Sequence, residues 1–253
     1  MSWKEVSLDK EVSERAFKQF LDLWILPEVE RRRRAKLIPE NFVLNRAQVL
    51  MFADGRGNIV RLNEEVRAVV RAKATRAIRR GESVFESDIS DVVGLELTDQ
   101  DDPNAGHFTV ILLRGIWVIV WDFRYNKGMA RERANAAKEF LEVAKICFEK
   151  KLLRACVDNL FSAIELLASA QLLMIPDLKY TKKQTHNFTQ TKYNAFVSIG
   201  NYKVDYKTAL NKLSSLRDKA RYLEQSFAMN SEELGKYLEI AIDMARTTEK
   251  LIQ

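Results

Sequence analysis

One stretch, Leu152 to Met174, is apolar over most of its length and constrains the fold more than any other part of the chain. Its polar residues recur at intervals of three and four, which places them along one face of a helix: Arg154, Asp158, Ser162, Glu165 and Ser169. The rest of this helix is apolar, so we expect it to lie in the middle of a helical bundle. Unpaired charges are rarely tolerated in such a place. Either a buried polar network or a functional site therefore lies along the stripe, and the sequence alone favours the network.

Length and composition predict a globular intracellular protein. The 253 residues, 47% of them hydrophobic, suffice for one large domain or two smaller ones. Cys147 and Cys156 lie on apolar faces of predicted helices without zinc-site spacing, so we expect reduced core thiols. The first residues are charged, unlike a signal peptide, and no apolar run reaches the roughly 18 residues of a membrane span. We expect a soluble cytoplasmic protein that is not membrane-bound.

The net charge of +6 is unevenly distributed along the chain. Residues 31–80 carry 14 Lys and Arg against 4 Asp and Glu, whereas residues 81–113 carry eight acidic residues and no basic one. A basic region of this size attracts polyanions such as RNA and DNA, although arginines also serve simply to solvate helix surfaces. The residues predicted to bind nucleic-acid phosphates are Arg31, Arg32, Arg33, Arg34, Arg67, Arg71, Arg76 and Arg80.

The first 126 residues are predicted to form a helix followed by a small α+β domain with a basic face. Helical spacing runs from Val12 to Trp24, and Pro27 is expected to kink or end this helix. Residues 64–80 return to helical periodicity, which would place Arg67 and Arg71 one turn apart. The turn signals Asp54-Gly55 and Arg114-Gly115 predict two hairpins. Their strands are residues 42–52, 58–62, 108–113 and 116–123.

Residues 127–253 are predicted to form an up-and-down bundle of four helices, so that the fold class is α+β. The first helix covers residues 130–148, the central helix follows, and a third runs from residue 206 to 227. Residues 176–201 are expected to be an irregular connection that contains His186. In the last helix, Asn230 is the predicted N-cap, with Glu233 three residues later.

Two segments of the predicted bundle resemble the HEPN superfamily of helical domains. One is residues 154–173, RACVDNLFSAIELLASAQLL, with small and aromatic residues after a polar start. The other is LRDKARYL, from Leu216 to Leu223. The resemblance covers roughly residues 130–253. It implies a dimer-forming helical domain of a prokaryotic toxin–antitoxin or antiviral defence system, in many members a metal-independent ribonuclease with its site where two copies meet.

The resemblance also implies catalytic residues. In HEPN ribonucleases an arginine and a polar residue precede a histidine; Arg217 and Asp218 match the first two positions, and Tyr222 stands where the histidine would be. Arg217 would then stabilise the phosphate charge and Asp218 would orient a neighbour. Tyr222, or His186 from a second chain, would transfer the proton. Tyrosine, with a reference pKa of about 10, is a poor base near neutrality. A purely structural pair of Arg217 with Asp158 or Glu165 is the alternative.

Two functions remain open at this point. The leading hypothesis is a HEPN-like protein that acts on RNA, either a ribonuclease or its degenerate relative, with no metal or other cofactor. The alternative is a non-enzymatic scaffold that dimerises or binds a protein partner while its basic face binds nucleic acid. The sequence has no P-loop, no nucleophile elbow and no zinc-site spacing. A homodimer is expected because the apolar surface of the central helix is larger than the surface that three neighbouring helices would bury.

Overall fold

The computed structural model describes residues 10–98, 104–113, 115–182, 185–222, 227 and 229–252. Its contacts divide the chain into two compact units. The sheet unit comprises residues 1–52 and 56–123, and the helical unit comprises residues 53–55 and 124–253. The fold class is α+β, as the sequence predicts.

In the residues that the structure describes, the sheet unit contains helices α1 (Lys10–Phe20) and α2 (Leu26–Arg34) and six strands. The strands are β1 (Arg46–Met51), β2 (Ile59–Leu62), β3 (Ala68–Ala74), β4 (Ile89–Leu97), β5 (Gly106–Leu113) and β6 (Ile116–Asp122). Four of them form an antiparallel sheet in the order β2-β1-β5-β6, and β3 pairs with β4 separately. Both predicted hairpins, β1–β2 and β5–β6, are confirmed. Gly55 and Gly115 adopt the positive φ that favours glycine in their turns.

The predicted helix over residues 64–80 is wrong. Residues 68–74 form strand β3, which pairs with β4 in antiparallel register from Ala68↔Leu97 to Ala74↔Ile89. The basic residues have the three- and four-residue spacing of a helical face, whereas the β-branched Val69 and Val70 favour a strand. Strand β4 lies within the acidic segment and was not predicted. Arg67 and Arg71 are therefore not one helical turn apart.

Pro27 does not end the first helix. Leu21–Ile25 is a π-helical segment between α1 and α2, and the helix continues to Arg34. Proline has no N–H and crowds the preceding turn, and a wider π turn accommodates both effects. The apolar side of this helix packs on the sheet, where the Phe20 and Phe108 rings stack with centroids 3.8 Å apart.

The helical unit contains five helices in its described residues, not four. They are α3 (Lys127–Glu149), α4 (Leu153–Leu173), α5 (His186–Ser198), α6 (Val204–Arg221) and α7 (Ser231–Ile252). Helix α5 lies where an irregular connection was predicted. The helix was not predicted because the segment is mostly polar. Its one buried face is formed by Thr189, Tyr193 and Val197 at four-residue spacing. Helix α6 ends at Arg221, short of the predicted end at residue 227.

Helix α4 is the centre of the helical core, as the sequence predicts. Helices α3, α5, α6 and α7 all pack against it, and of its residues only Ala155 is exposed. By length and composition α4 is apolar enough to cross a membrane, but most of it is buried inside this unit. Its apolar surface is thus covered within one chain, so the reason given for a homodimer does not hold. The homodimer itself stays a prediction.

A hydrogen-bonded network links three helices in this core. Gln171 of α4, Tyr193 of α5 and Thr248 of α7 are all buried. The Tyr193 hydroxyl donates to Gln171 Oε1 at 2.6 Å, and Gln171 Nε2 donates to Thr248 Oγ1 at 2.8 Å. Buried polar groups need such partners because leaving one unsatisfied is costly.

The predicted N-cap of α7 is confirmed: Asn230 Oδ1 accepts a hydrogen bond from the Glu233 N–H at 2.7 Å. Because the first turn of a helix has unsatisfied N–H groups, we expect Asn230→Ala to lower the free energy of unfolding by about 1 kcal/mol. Denaturant titration measures this loss. Asn230→Ser, which keeps a capping oxygen, is the control, and equal stabilities of the alanine and serine variants would contradict the prediction.

Candidate functional site

The polar stripe of α4 faces charged residues of α5 and α6. Asp158 and Glu165 of α4, His186 at the start of α5, and Arg217 and Arg221 near the end of α6 are connected by hydrogen bonds. We call these five residues the histidine–arginine cluster. It lies within one chain, whereas the sequence analysis placed His186 and Arg217 on different chains of a dimer.

His186 is held between a carboxylate and an arginine. Its Nδ1 makes a short hydrogen bond to Glu165 Oε1, and its Nε2 lies 3.5 Å from Arg217 Nη1. Because a carboxylate accepts hydrogen bonds, the Nδ1 proton points toward Glu165 and Nε2 is left as the basic nitrogen. The His186 side chain is 64% exposed while that of Glu165 is 16% exposed. The arrangement thus presents an oriented imidazole to solvent.

Arg217 is fixed by both a carboxylate and an aromatic ring. Its Nε lies 3.2 Å from Asp158 Oδ1, its guanidinium carbon is 4.8 Å from the centroid of Phe161, and its side chain is 18% exposed. The predicted pair with Asp158 is confirmed. Arg221 binds the same carboxylate through two contacts, of 2.7 and 3.0 Å. Burial alone would raise the pKa of Asp158, but hydrogen bonds from Arg221 and Arg217 outweigh it and lower that pKa.

The remaining polar residues of the α4 stripe also have partners. Arg154 Nη1 donates to the carbonyls of Lys219 at 2.6 Å and Ala220 at 3.2 Å, at the end of α6. Ser162 donates to the carbonyl of Asp158, and Arg133 of α3 donates to Ser169. The polar network expected from the sequence is therefore present, and it reaches solvent at His186.

Asp218 and Tyr222 do not belong to this cluster. The described partners of Arg217 are Asp158, His186 and Phe161. Asp218 is exposed, and its carbonyl accepts the backbone N–H of Tyr222 at 2.8 Å. The Tyr222 side chain follows the end of α6 and is 63% exposed. The residue at the motif's histidine position is thus separate from the oriented histidine.

Five of the eight arginines predicted to bind phosphates are paired with carboxylates. Arg31 and Arg32 bind Glu28, and Arg33 and Arg34 bind Glu30. The hydrogen bond from Arg31 is the largest influence on Glu28, and with Arg32 it lowers that pKa to about 2 despite partial burial. Arg76 binds both Asp88 and Glu82. Phosphate binding by these residues stays a prediction, but they are already engaged.

The basic and acidic segments of the sheet unit cancel each other. Because β3 pairs with β4, Lys73 meets Asp91 at 3.5 Å. The sheet unit holds 19 Lys and Arg against 19 Asp and Glu, so its net charge is zero; the helical unit holds 22 against 16, a net +6. Within residues 179–221 alone there are ten basic residues and two acidic ones. This basic segment contains three of the five cluster residues, His186, Arg217 and Arg221, and it lies outside residues 31–80, where the sequence predicted the basic face.

Among the residues that the structure describes, no group of three His, Cys, Asp or Glu side chains is placed to hold a metal ion. The carboxylates of Asp99, Asp101 and Asp102, which precede β5, lie outside the described ranges. Neither the protein-family models nor the curated proteins compared with this sequence match it.

Proposed function

We propose that this protein cleaves RNA at the histidine–arginine cluster by a metal-independent, HEPN-like reaction in the cytoplasm. The proposal rests on two contacts within one chain: Glu165 bonds to one ring nitrogen of His186, and Arg217 lies beside the other. A carboxylate that orients an imidazole, with a cation beside the other ring nitrogen, is an arrangement suited to proton transfer at a phosphodiester. His186 also supplies the histidine that the α6 motif lacks.

The reaction begins when His186 Nε2 takes the proton of a ribose 2′-hydroxyl. The 2′-oxygen attacks the adjacent phosphorus, and the bond to the 5′-oxygen of the next nucleotide breaks. That oxygen leaves with a proton from solvent, giving a 2′,3′-cyclic phosphate and a 5′-hydroxyl. Arg217 stabilises the negative charge that develops on the phosphate, because a guanidinium donates two parallel hydrogen bonds to phosphate oxygens. Glu165 keeps the imidazole in the tautomer that this role needs.

Arg217→Ala tests the proposal with little damage to the fold. Asp158 keeps its two contacts with Arg221, so the substitution does not strand a buried carboxylate. We expect the cleavage rate to fall by roughly 10²- to 10³-fold, the typical loss for one donor to a transition-state oxyanion. The measurement is cleavage of labelled single-stranded RNA in EDTA, with thermal melting of each variant.

Arg246→Ala, on the exposed surface of α7, is the matched control and should cleave like the parent protein. An RNA with a 2′-deoxy nucleotide at the cleaved position should resist cleavage. Absence of cleavage by the parent protein, or an unchanged rate in Arg217→Ala, would refute the ribonuclease proposal. RNA binding without cleavage would instead support the scaffold function. The exposed Phe140, Val143 and Ile146 of α3 favour self-association in either case.

A further inference from the structure

Helices α5 and α6 meet along a seam that is polar over its whole length. On α5 the residues His186, Gln190, Asn194 and Ser198 recur every four positions, which places them on one face. Opposite them on α6 lie Arg217, Asn211 and Lys207. We call these seven residues the α5–α6 seam. Over the twelve-residue step from His186 to Ser198 it extends about 18 Å.

The side chains of the seam are joined across the two helices. Gln190 Nε2 donates to Asn211 Oδ1 at 2.7 Å, and Asn194 and Asn211 exchange hydrogen bonds of 2.9 and 3.2 Å. At the far end, Lys207 Nζ donates to Ser198 Oγ at 3.0 Å. These groups are half-buried or exposed, unlike the buried face that α5 turns toward the core. These polar groups do not stabilise the core, and they form a row that ends at His186. Such a row is suited to bind an extended ligand whose reacting group lies at His186.

We propose that the α5–α6 seam is the track along which an unpaired RNA strand approaches the histidine–arginine cluster, an inference that rests on the proposed ribonuclease function. The amide side chains bond to one another, and each can exchange that partner for the donor and acceptor edge of an unpaired base. Lys207 and Arg217 bind phosphates at opposite ends of the track. The excess of basic residues over positions 179–221 attracts the strand. Paired bases of an RNA duplex do not offer these edges, so the track selects single strands.

Lys207→Gln compared with Lys212→Gln tests this track. Both lysines lie on α6, but Lys212 points to α7, where its Nζ is 3.7 Å from Glu233. Binding of fluorescent single-stranded RNA is measured at several salt concentrations in a His186→Gln background, which removes cleavage. We expect Lys207→Gln to weaken binding and to reduce the slope of log affinity against log salt by about 0.7, the value for one phosphate contact. Lys212→Gln should change the slope much less.

Gln190→Ala examines base recognition separately, because it leaves the reciprocal Asn194–Asn211 pair in place. It should alter the ranking of affinities for single-stranded RNAs of different base composition while thermal melting stays near that of the parent.

Equal effects of the two lysine substitutions, or duplex RNA binding as tightly as single strands, would overturn the track. If the parent protein cleaves RNA and the lysines are equivalent, the track fails and the ribonuclease stands. If it does not cleave but the lysines differ, the seam binds single-stranded RNA and the ribonuclease proposal fails.

Discussion

Replacing His186 with glutamine is expected to slow RNA cleavage by roughly 10²- to 10⁴-fold, the usual contribution of a positioned general base or acid. Glutamine keeps a polar side chain of similar reach, but it has no nitrogen that takes up a proton. The side chain of His186 is 64% exposed, so the fold should not depend on it. Rates in EDTA, together with the melting temperature, separate a chemical effect from unfolding.

Tyr222→Phe is the matched experiment for the other candidate proton donor. Tyr222 is 63% exposed and lies outside the contacts of Arg217, so its hydroxyl should be dispensable and the rate unchanged. A large loss in Tyr222→Phe together with normal cleavage by His186→Gln would show that the α6 motif, and not the histidine of α5, transfers the proton.

Glu165→Ala should reduce the rate less than His186→Gln does, because it removes the group that orients the imidazole and leaves the imidazole itself. Since the hydrogen bond at one ring nitrogen decides which nitrogen carries the proton, the tautomer of His186 should change. Nitrogen NMR of the imidazole reports this directly, and the chain has only one other histidine, His107. An unchanged tautomer would assign Glu165 a structural role only.

The second large effect is expected in the core, where Tyr193→Phe should cost about 1–3 kcal/mol of unfolding free energy. The substitution leaves Gln171 Oε1, fully buried between α4 and α5, without its 2.6 Å donor. Burial also raises the pKa of Tyr193 well above its usual value, so the hydroxyl keeps its proton and remains a donor. Gln171→Leu should have a cost of the same order, because it strands the Tyr193 hydroxyl.

The double variant tests whether the two losses have one origin. If the hydrogen bond couples them, Tyr193→Phe with Gln171→Leu should cost less than the sum of the single variants, since neither polar group is then left unsatisfied. Denaturant unfolding measures the three free energies. Tyr237→Phe is the control, because its hydroxyl donates to Glu233, which is only half-buried, and its cost should be small. Strict additivity would mean that the network contributes no coupling energy.

Elements with strong local signals could be predicted from the amino-acid sequence. The apolar circumference of residues 152–174 identified α4 as the core helix, and Asn230 with Glu233 located the start of α7. Asp54-Gly55 and Arg114-Gly115 located both hairpins of the main sheet. The sequence also predicted that Arg217 pairs with Asp158 or Glu165 of α4, because a charge on a core helix needs a partner, and the structure shows the pair with Asp158.

Contacts between segments that are distant in the chain could be found only from the folded structure. Residues 64–80 carry a helical pattern of basic residues, yet residues 68–74 form a strand because β4, about 20 residues later, offers hydrogen-bonding partners. That pairing also brings basic residues of β3 beside acidic residues of β4, as in Lys73 and Asp91. His186 reaches Glu165 and Arg217, 21 and 31 residues away in the chain, through the packing of α5 beside α4 and α6. No local periodicity encodes such contacts. Propensity fixes a segment's preference in isolation, whereas the burial and pairing that its neighbours supply decide the conformation it adopts.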